Sequence, residues 1–227
     1  MSRLFTFGCS FTNYRWSTWA DILGQNYNEY QNWGQSGAGN HYIFNSVMEA
    51  DQRHCFGSGD TVIVCWTSIH REDRYTDRWQ TLGNIHYTDI YSKEYKQSIT
   101  DRGCLIRDIA MIKAVKTMLE QRNVEWKFFS VHNMLARDLW DGSIVDADVC
   151  NLYRDVFESV GPSFRETLFP EAWPDRADPH PTPSEHLLFL DKAMPGSVTD
   201  LNIRATIAQE SMHLHKSRSG MCKQQRL

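Results

Sequence analysis

Short apolar runs alternate with segments of helical periodicity along this chain. Residues 3–8 read RLFTFG, a run of strand-forming residues that ends at a glycine, and residues 60–68 give the clearest strand pattern. Residues 104–122 carry apolar side chains at steps of three and four, which is typical of a helix with one buried face. The patterns predict strands over 3–8, 60–68 and 124–131 and at the start of 28–40. They predict helices over 18–25, 41–53, 104–122 and 184–194 and within 143–161. Ser184 should cap the helix over 184–194.

Because strands alternate with helices, the predicted fold is α/β. We expect a three-layer, flavodoxin-like sandwich, with a central parallel sheet of about five strands and helices on both faces. Ligands of such sheets bind beyond the carboxyl ends of the strands. The polar segments 8–12, 34–40 and 66–71, each following a strand, should therefore meet in one crevice. Residues 70–103 give no clear pattern beyond some helix near 91–100.

Composition and charge narrow the class of protein. The chain has 227 residues, of which 41% are hydrophobic, enough for one folded domain with a full core. The formal net charge of −4 lacks the basic excess of non-specific nucleic-acid binding, so no nucleic-acid partner is expected. We assign residues 1–212 to this domain. Residues 213–227 contain basic residues and no acid, and are expected to form a flexible tail that could contact a partner.

The N-terminus lacks the pattern of a signal peptide, and no run approaches the ~20 apolar residues of a membrane helix. We therefore expect cytoplasmic synthesis without a signal peptide and no membrane insertion. Six cysteines are scattered without a C-x-x-C pair, which argues against a thiolate zinc site and against a disulfide framework. Free thiols are the expected state.

The first candidate for chemistry is Ser10, in the stretch GCSFT that follows the first strand. Gly8 would let the chain turn sharply off that strand. A serine nucleophile needs a base, an orienting acid and donors for the oxyanion. The alternative is a serine that only caps the next helix, and the G-x-S-x-G elbow is absent because Thr12 replaces its second glycine.

Two further stretches could complete such a site. Asp178 and His180 lie in DPHP, where two prolines restrict the backbone and could present an imidazole at a fixed place. The glycines of NWGQSGAGN (32–40) could expose backbone N–H groups to an oxyanion or a phosphate, although their spacing fits neither a P-loop nor G-x-G-x-x-G. The alternatives are a surface loop for the first stretch and a turn with positive φ for the second.

Together, the three stretches resemble the blocks of the SGNH hydrolases, a branch of the GDSL lipase/esterase superfamily, over residues 3–194. GCSFT resembles the first block, G-D-S. NWGQSGAGN resembles the second, N-x-G-x-S-G, whose later glycine, here Gly37, gives an oxyanion N–H. DPHP resembles the last block, where the Asp orients the His. GCSFT with WSTWADIL just after it also resembles SGNH-type proteins encoded by bacteriophages.

The chain departs from the family pattern at three places. Cys9 replaces the usual Asp of the first block, a helper position rather than the nucleophile. Asp178 and His180 are two residues apart where three is commoner, which leaves Asp175 as a second candidate for the acid. The third block, G-x-N-D, is missing from CWTSIHRED (65–73), and its oxyanion donor could be replaced by one of four residues: Asn40, Thr67, Ser68 or Arg71.

The resemblance implies a serine esterase that uses a Ser10–His180–Asp178 triad, an acyl-enzyme, and no metal or cofactor. Its expected substrate is a small ester or an acetylated glycan, with removal of O-acetyl groups from a carbohydrate as the natural reaction. Aromatic residues near the expected crevice could stack on sugar rings, although Phe11 and Trp66 fit a core better; the others are Tyr14, Trp16 and Trp33.

Two other functions fit the same fold. A weak or inactive structural or binding protein, such as a virion component joined to a partner or another copy through its tail, would hold Ser10, Asp178 and His180 too far apart to hydrogen-bond. A lipid or thioester hydrolase would have an apolar trough beside Ser10. The sugar esterase predicts an open groove lined by aromatic and polar residues.

Overall fold

A computed structural model describes residues 2–134 and 146–224, with side chains described up to residue 214. The strands are β1 Arg3–Phe7, β2 Glu29–Asn32, β3 Asp60–Trp66, β4 Arg71–Tyr75, β5 Trp79–Asn84, β6 Glu125–Ser130 and β7 Val160–Ser163. The helices are α1 Trp19–Gly24, α2 Asn40–His54, α3 Lys93–Ser98, α4 Asp101–Arg122, α5 Ala147–Leu152, α6 Arg154–Phe157, α7 Phe164–Leu168, α8 Pro183–Ala193 and α9 Leu201–Gln224.

A five-stranded parallel sheet in the order β2-β1-β3-β6-β7 forms the middle layer, which confirms the predicted α/β architecture. Every residue of β3 is buried, and β1 is buried from Leu4 onward, as expected of strands covered on both faces. Helix α2 packs against α4, while α8 packs against α1, α7 and α9. These two groups of helices form the outer layers.

Two strand features lie where the sequence pattern gave no strand. Residues 71–84 form an antiparallel hairpin of β4 and β5, outside the main sheet. Strand β7, with the sequence VGPS, forms the edge of the sheet beside β6. A polar hairpin and a strand containing Gly and Pro both lack the apolar alternation that predicts strands, so neither was visible from the pattern.

The cap of α8 differs from the sequence prediction. Thr182, and not Ser184, is the N-cap: its hydroxyl accepts the Glu185 N–H at 3.3 Å, and the Glu185 carboxylate accepts the Thr182 N–H at 2.7 Å. Pro183 takes the first helical position, where its missing N–H costs no hydrogen bond. The N-cap therefore lies two residues closer to His180 than predicted.

The proposed boundary at residue 213 lies inside α9, whose backbone is helical up to Gln224. Residues 225–227 and the tail's basic side chains lie outside the described residues, as do residues 143–145 of the predicted 143–161 segment. The division into a domain and a flexible tail stays a prediction. Among the helices described, none has a stretch long and apolar enough to cross a bilayer.

Candidate active site

Ser10 lies in a tight turn at the carboxyl end of β1. The N–H groups of Thr12 and Asn13 both donate to the Cys9 carbonyl, at 2.9 and 3.1 Å. A Cβ at Gly8 would lie 2.1 Å from Thr12 Oγ1 and 3.0 Å from the Cys65 carbonyl, so only glycine allows this close passage beside β3. In this turn 4% of Ser10 is exposed.

The loop before α8 brings His180 to this turn. Arg176 fixes the loop by donating from Nη2 to the His180 carbonyl at 2.7 Å and from Nε to the Asp178 carbonyl at 3.0 Å. The same guanidinium pairs with Glu185 in the first turn of α8, at 2.7 Å. The loop that carries the imidazole is therefore held by an ion pair as well as by prolines. Arg176 was not among the site residues predicted from the sequence.

Ser10, His180 and Asp178 form one hydrogen-bonded chain. His180 Nε2 lies 2.9 Å from Ser10 Oγ, and His180 Nδ1 lies 2.7 Å from Asp178 Oδ1. The same Asp178 oxygen accepts the backbone N–H of His180 at 3.1 Å. Asp178, and not Asp175, is therefore the carboxylate in contact with the imidazole.

Tyr14 and Arg15 hold the second oxygen of Asp178. The Tyr14 hydroxyl donates to Oδ2 at 2.8 Å and Arg15 Nη2 donates at 2.5 Å. The Tyr14 ring also stacks on the imidazole of His180, with centroids 4.2 Å apart and planes 21° apart. Because these contacts join residues more than 160 positions apart, no local sequence signal could have predicted them.

These contacts set the charges of the pair. Burial alone would raise the pKa of Asp178, but the hydrogen bonds from His180 and Tyr14 outweigh it and lower this pKa to about 2. Burial lowers the pKa of His180, Asp178 opposes this shift, and the positive charges of Arg71 and Arg15 add to the lowering. At neutral pH the carboxylate is charged and the imidazole is neutral, the state that a general base requires.

The glycine loop 34–39 lies beside this turn, because the Gln35 N–H donates to the Gly8 carbonyl at 3.0 Å. Gly37 has φ of +78°, and a Cβ there would lie 2.6 Å from the Thr81 carbonyl, so this position requires glycine on both counts. Within the described ranges, neither the Ser10 N–H nor the Gly37 N–H donates to a protein acceptor. Both donors suit a developing oxyanion.

The hairpin β4–β5 binds the glycine loop along three consecutive carbonyls. The donors are Thr81 Oγ1 to Ser36 at 2.8 Å, the Gly83 N–H to Gly37 at 3.2 Å, and Arg71 Nη1 to Ala38 at 2.9 Å. On the other side, the buried Asp73 accepts the N–H groups of Gly39 and Tyr42, each at 2.8 Å. The hairpin that the sequence pattern missed therefore fixes the backbone of this loop.

Three of the candidates for a further oxyanion donor are engaged or buried. Asn40 donates to the Thr67 carbonyl at 3.1 Å and to Asp108 at 2.6 Å, and accepts the Thr67 N–H at 2.9 Å. Both amide hydrogens of Asn40 thus have acceptors, and the residue fixes the end of β3. The Ser68 hydroxyl accepts the His70 N–H at 3.2 Å. Thr67 is fully buried, and its hydroxyl has no partner among the described residues.

The five aromatic residues proposed near the crevice have different surroundings. Phe11, Trp16 and Trp66 are buried, and Trp16 donates from Nε1 to the Pro181 carbonyl at 2.8 Å. Tyr14 and Trp33 are half-buried. The first three therefore belong to the core, and Tyr14 is committed to His180.

No family model and no curated protein matches this sequence. Solved structures do match it in fold. A lipolytic protein of the G-D-S-L family from Veillonella parvula DSM 2008 is 13% identical, covering 86% of this chain and 98% of its own, with a TM-score of 0.48. The psychrotrophic esterase EstA from Pseudoalteromonas sp. is 9% identical, covering 84% and 96%, with a TM-score of 0.46.

A catalytic mutant of Axe2, an acetylxylan esterase from Geobacillus stearothermophilus, is 13% identical to the chain. The match covers 88% of this chain and 94% of that protein, with a TM-score of 0.46. At such identities the likeness concerns the course of the backbone alone.

Proposed function

We propose that this protein is a serine esterase of the SGNH type, which hydrolyses an ester through an acyl-enzyme. The observation that carries the proposal is the hydrogen-bonded chain from Ser10 through His180 to Asp178. This order of nucleophile, base and orienting acid is what activates a serine hydroxyl.

The mechanism follows from the charges of these groups. Neutral His180 takes the proton of Ser10 as Oγ attacks the ester carbonyl, and the charged Asp178 stabilises the imidazolium. The N–H groups of Ser10 and Gly37 donate to the oxyanion. His180 then gives its proton to the leaving alcohol, and the acyl group stays on Ser10 Oγ. Water, deprotonated by the same imidazole, attacks the acyl-enzyme, and His180 returns that proton to Ser10 Oγ as the acid leaves. The chain supplies every group in these steps.

The substrate we propose is a small acyl ester, with O-acetyl on a carbohydrate as the expected natural form. Ser10 is only 4% exposed, so access to Oγ favours a small acyl group over a long chain. Charged residues lie close to the imidazole, namely Arg15 and Arg71, where a lipid hydrolase would need an apolar trough. The inactive-scaffold alternative required Ser10, Asp178 and His180 to be out of hydrogen-bonding reach, and the distances argue against it.

The first test is hydrolysis of 4-nitrophenyl acetate by the wild-type protein and by the Ser10→Ala and His180→Ala variants. Two variants serve as matched controls. Ser58→Ala replaces an exposed serine just before β3, at the amino ends of the strands and away from Ser10, and His213→Gln replaces an exposed histidine of α9. We expect turnover in the wild type and both controls, and a loss of about 10³-fold or more in the two site variants.

Equal, background-level rates in all five proteins would contradict esterase activity on small esters. A fluorophosphonate probe then decides whether Ser10 is activated at all. Labelling of the wild type but not of His180→Ala would preserve the proposed nucleophile and redirect the search to larger esters, whereas no labelling would refute the proposal.

A further inference from the structure

Arg165 is a buried cation without a carboxylate partner. It is 6% exposed, lies at the start of α7, and forms no ion pair within the described residues. Its Nη2 donates to the Glu171 carbonyl at 3.3 Å, and its buried Nε has no acceptor there. The adjacent Glu166 is bound by Ser163 instead, at 2.8 Å. A buried charge without a counter-charge is costly, which points to an anion that the chain itself does not provide.

His132 lies beside Arg165, at the carboxyl end of β6. The Arg165 N–H donates to the Val131 carbonyl at 3.0 Å, which ties the start of α7 to this strand end. His132 Nδ1 is buried and has no partner among the residues described. Burial, together with the nearby Arg71, His70 and Arg165, lowers the pKa of His132 to about 3. A neutral imidazole can donate one N–H to an anion here.

Arg71 brings a second guanidinium to the same region. Its Nη1 donates to the Ala38 carbonyl of the glycine loop, and it has no ion pair within the described part of the chain. Its charge acts on both His132 and His180, so its guanidinium lies within electrostatic range of both imidazoles. The nearby carboxylates are already committed: Asp178 to His180, and Asp73 to backbone N–H groups.

An aromatic path joins this cluster to Ser10. The Trp173 ring packs edge-on against Phe11, the residue after Ser10, with centroids 6.0 Å apart. The same ring lies 5.8 Å from the Arg165 guanidinium and 6.4 Å from the His132 ring. The cluster and the Ser10 turn are therefore neighbours along one edge of the sheet.

We propose that Arg165, His132 and Arg71 form a subsite for a carboxylate on the ester substrate. This inference rests on the proposed function and specifies its substrate as an acidic ester. A protein with a net charge of −4 gathers unpaired positive charge here, beside the proposed nucleophile. Two guanidinium groups suit a planar carboxylate, since each can donate two parallel hydrogen bonds.

The carboxylate belongs either to the alcohol part or to the acyl part of the ester, and matched substrate pairs distinguish the two. Charge on the alcohol side is tested with 4-acetoxybenzoate against its methyl ester. Charge on the acyl side is tested with 4-nitrophenyl hydrogen adipate against its methyl ester. We expect the wild type to prefer the charged member of one pair by about tenfold or more in kcat/KM at low salt. That preference should decline as NaCl is raised, because salt screens the attraction.

The variants are Arg165→Gln and Arg71→Gln, with Arg74→Gln as a control. Arg74 lies in the same hairpin as Arg71, but its side chain is exposed. Either site variant should reduce the selectivity ratio about tenfold, and Arg74→Gln should retain it. Arg71 is half-buried, so its variant decides the question if loss of the buried Arg165 prevents folding.

Binding is measured separately by calorimetry on Ser10→Ala, which cannot turn the substrate over by the proposed route. The preferred charged ester should bind Ser10→Ala more tightly than its methyl ester, and Ser10→Ala/Arg165→Gln or Ser10→Ala/Arg71→Gln should bind it about tenfold more weakly. If no protein hydrolyses either pair but this binding pattern holds, the esterase proposal fails and the subsite stands. If the protein hydrolyses both members of each pair equally well, the subsite is refuted and the esterase proposal stands. The same holds if Arg165→Gln and Arg71→Gln both keep the preference for the charged ester.

Discussion

Tyr14 is the residue whose role could least be foreseen, although it touches both members of the His180–Asp178 pair. Its hydroxyl donates to Asp178 and its ring stacks on His180. A hydrogen bond to a charged group contributes about 1.5–3 kcal/mol. Tyr14 should therefore keep Asp178 ionised and the imidazole correctly oriented.

We predict that Tyr14→Phe keeps the ring stacking and loses about tenfold in kcat/KM for 4-nitrophenyl acetate, since one charge-assisted hydrogen bond is removed. Tyr14→Leu should lose more, because the imidazole also loses its stacked ring. Tyr27→Phe is the matched control, since the Tyr27 hydroxyl contacts Thr61 at the start of β3. Equal activity of Tyr14→Phe and the wild type would mean that the other contacts of Asp178, that of Arg15 among them, suffice to hold it.

At the scale of single residues, the proposed catalytic side chains could be predicted because they occur in short recognisable sequence blocks. Ser10, His180 and Asp178 each follow from local residues and the family resemblance, and the structure joins the three side chains in one hydrogen-bonded chain. Their catalytic roles stay a prediction. Asn40 shows the limit: a buried amide looks like a free donor until Asp108 and Thr67 are seen to occupy it. Tyr14 and Arg176 act through contacts that no local pattern encodes.

At the scale of elements, the hairpin β4–β5 is the support of the glycine loop. It donates to the carbonyls of residues 36–38, and its Asp73 accepts the N–H groups of Gly39 and Tyr42. The loop has little side chain of its own to hold it. The hairpin should therefore determine where the Gly37 N–H points.

We predict that Asp73→Asn lowers kcat for 4-nitrophenyl acetate by about 10-fold to 100-fold with a smaller change in KM. The carboxamide can accept from only one of the two N–H groups, so the loop shifts and weakens an oxyanion donor, a loss of the size expected for such donors. Asp77→Asn, at the exposed tip of the same hairpin, is the control.

Thermal unfolding of both hairpin variants separates a local shift from global damage. A fall in kcat that merely parallels a lost folded fraction would contradict the proposed role of Asp73. This element escaped prediction because its residues are mostly half-buried or exposed, so the hydrophobic period of a strand is missing. The central strands were predictable for the opposite reason, since β1 and β3 are buried runs.

For the molecule as a whole, His186 links folding to pH. It lies in α8, is 1% exposed, and its Nδ1 has no partner within the described ranges. Burial, with His180 and Arg176 nearby, lowers its pKa to about 3. In the unfolded chain the His186 imidazole takes up a proton at about pH 6.5. The unfolded state therefore binds more protons between these values, and the free energy of unfolding falls as the pH falls.

We predict that His186→Leu reduces the slope of the unfolding free energy against pH by about 1.4 kcal/mol per pH unit between roughly pH 6 and pH 4. The reason is that one proton is no longer taken up on unfolding. Urea unfolding at several pH values in this interval measures the slope. His213→Gln, which replaces an exposed histidine of α9, is the control substitution. Parallel slopes for His186→Leu and the wild type would contradict the assignment.

The distance along the chain between Ser10 and His180 governs when activity can arise. Their contact spans 170 residues, so a nascent chain leaving the ribosome carries the serine long before the imidazole that would activate it. Synthesis that stops before residue 178 yields a chain that contains all five strands of the main sheet but lacks the proposed proton acceptor, His180. Recovery of the proposed activity during refolding therefore measures the formation of the contact between Ser10 and His180, and not the earlier appearance of helices. The order of the segments therefore predicts that an incomplete chain lacks the proposed esterase activity.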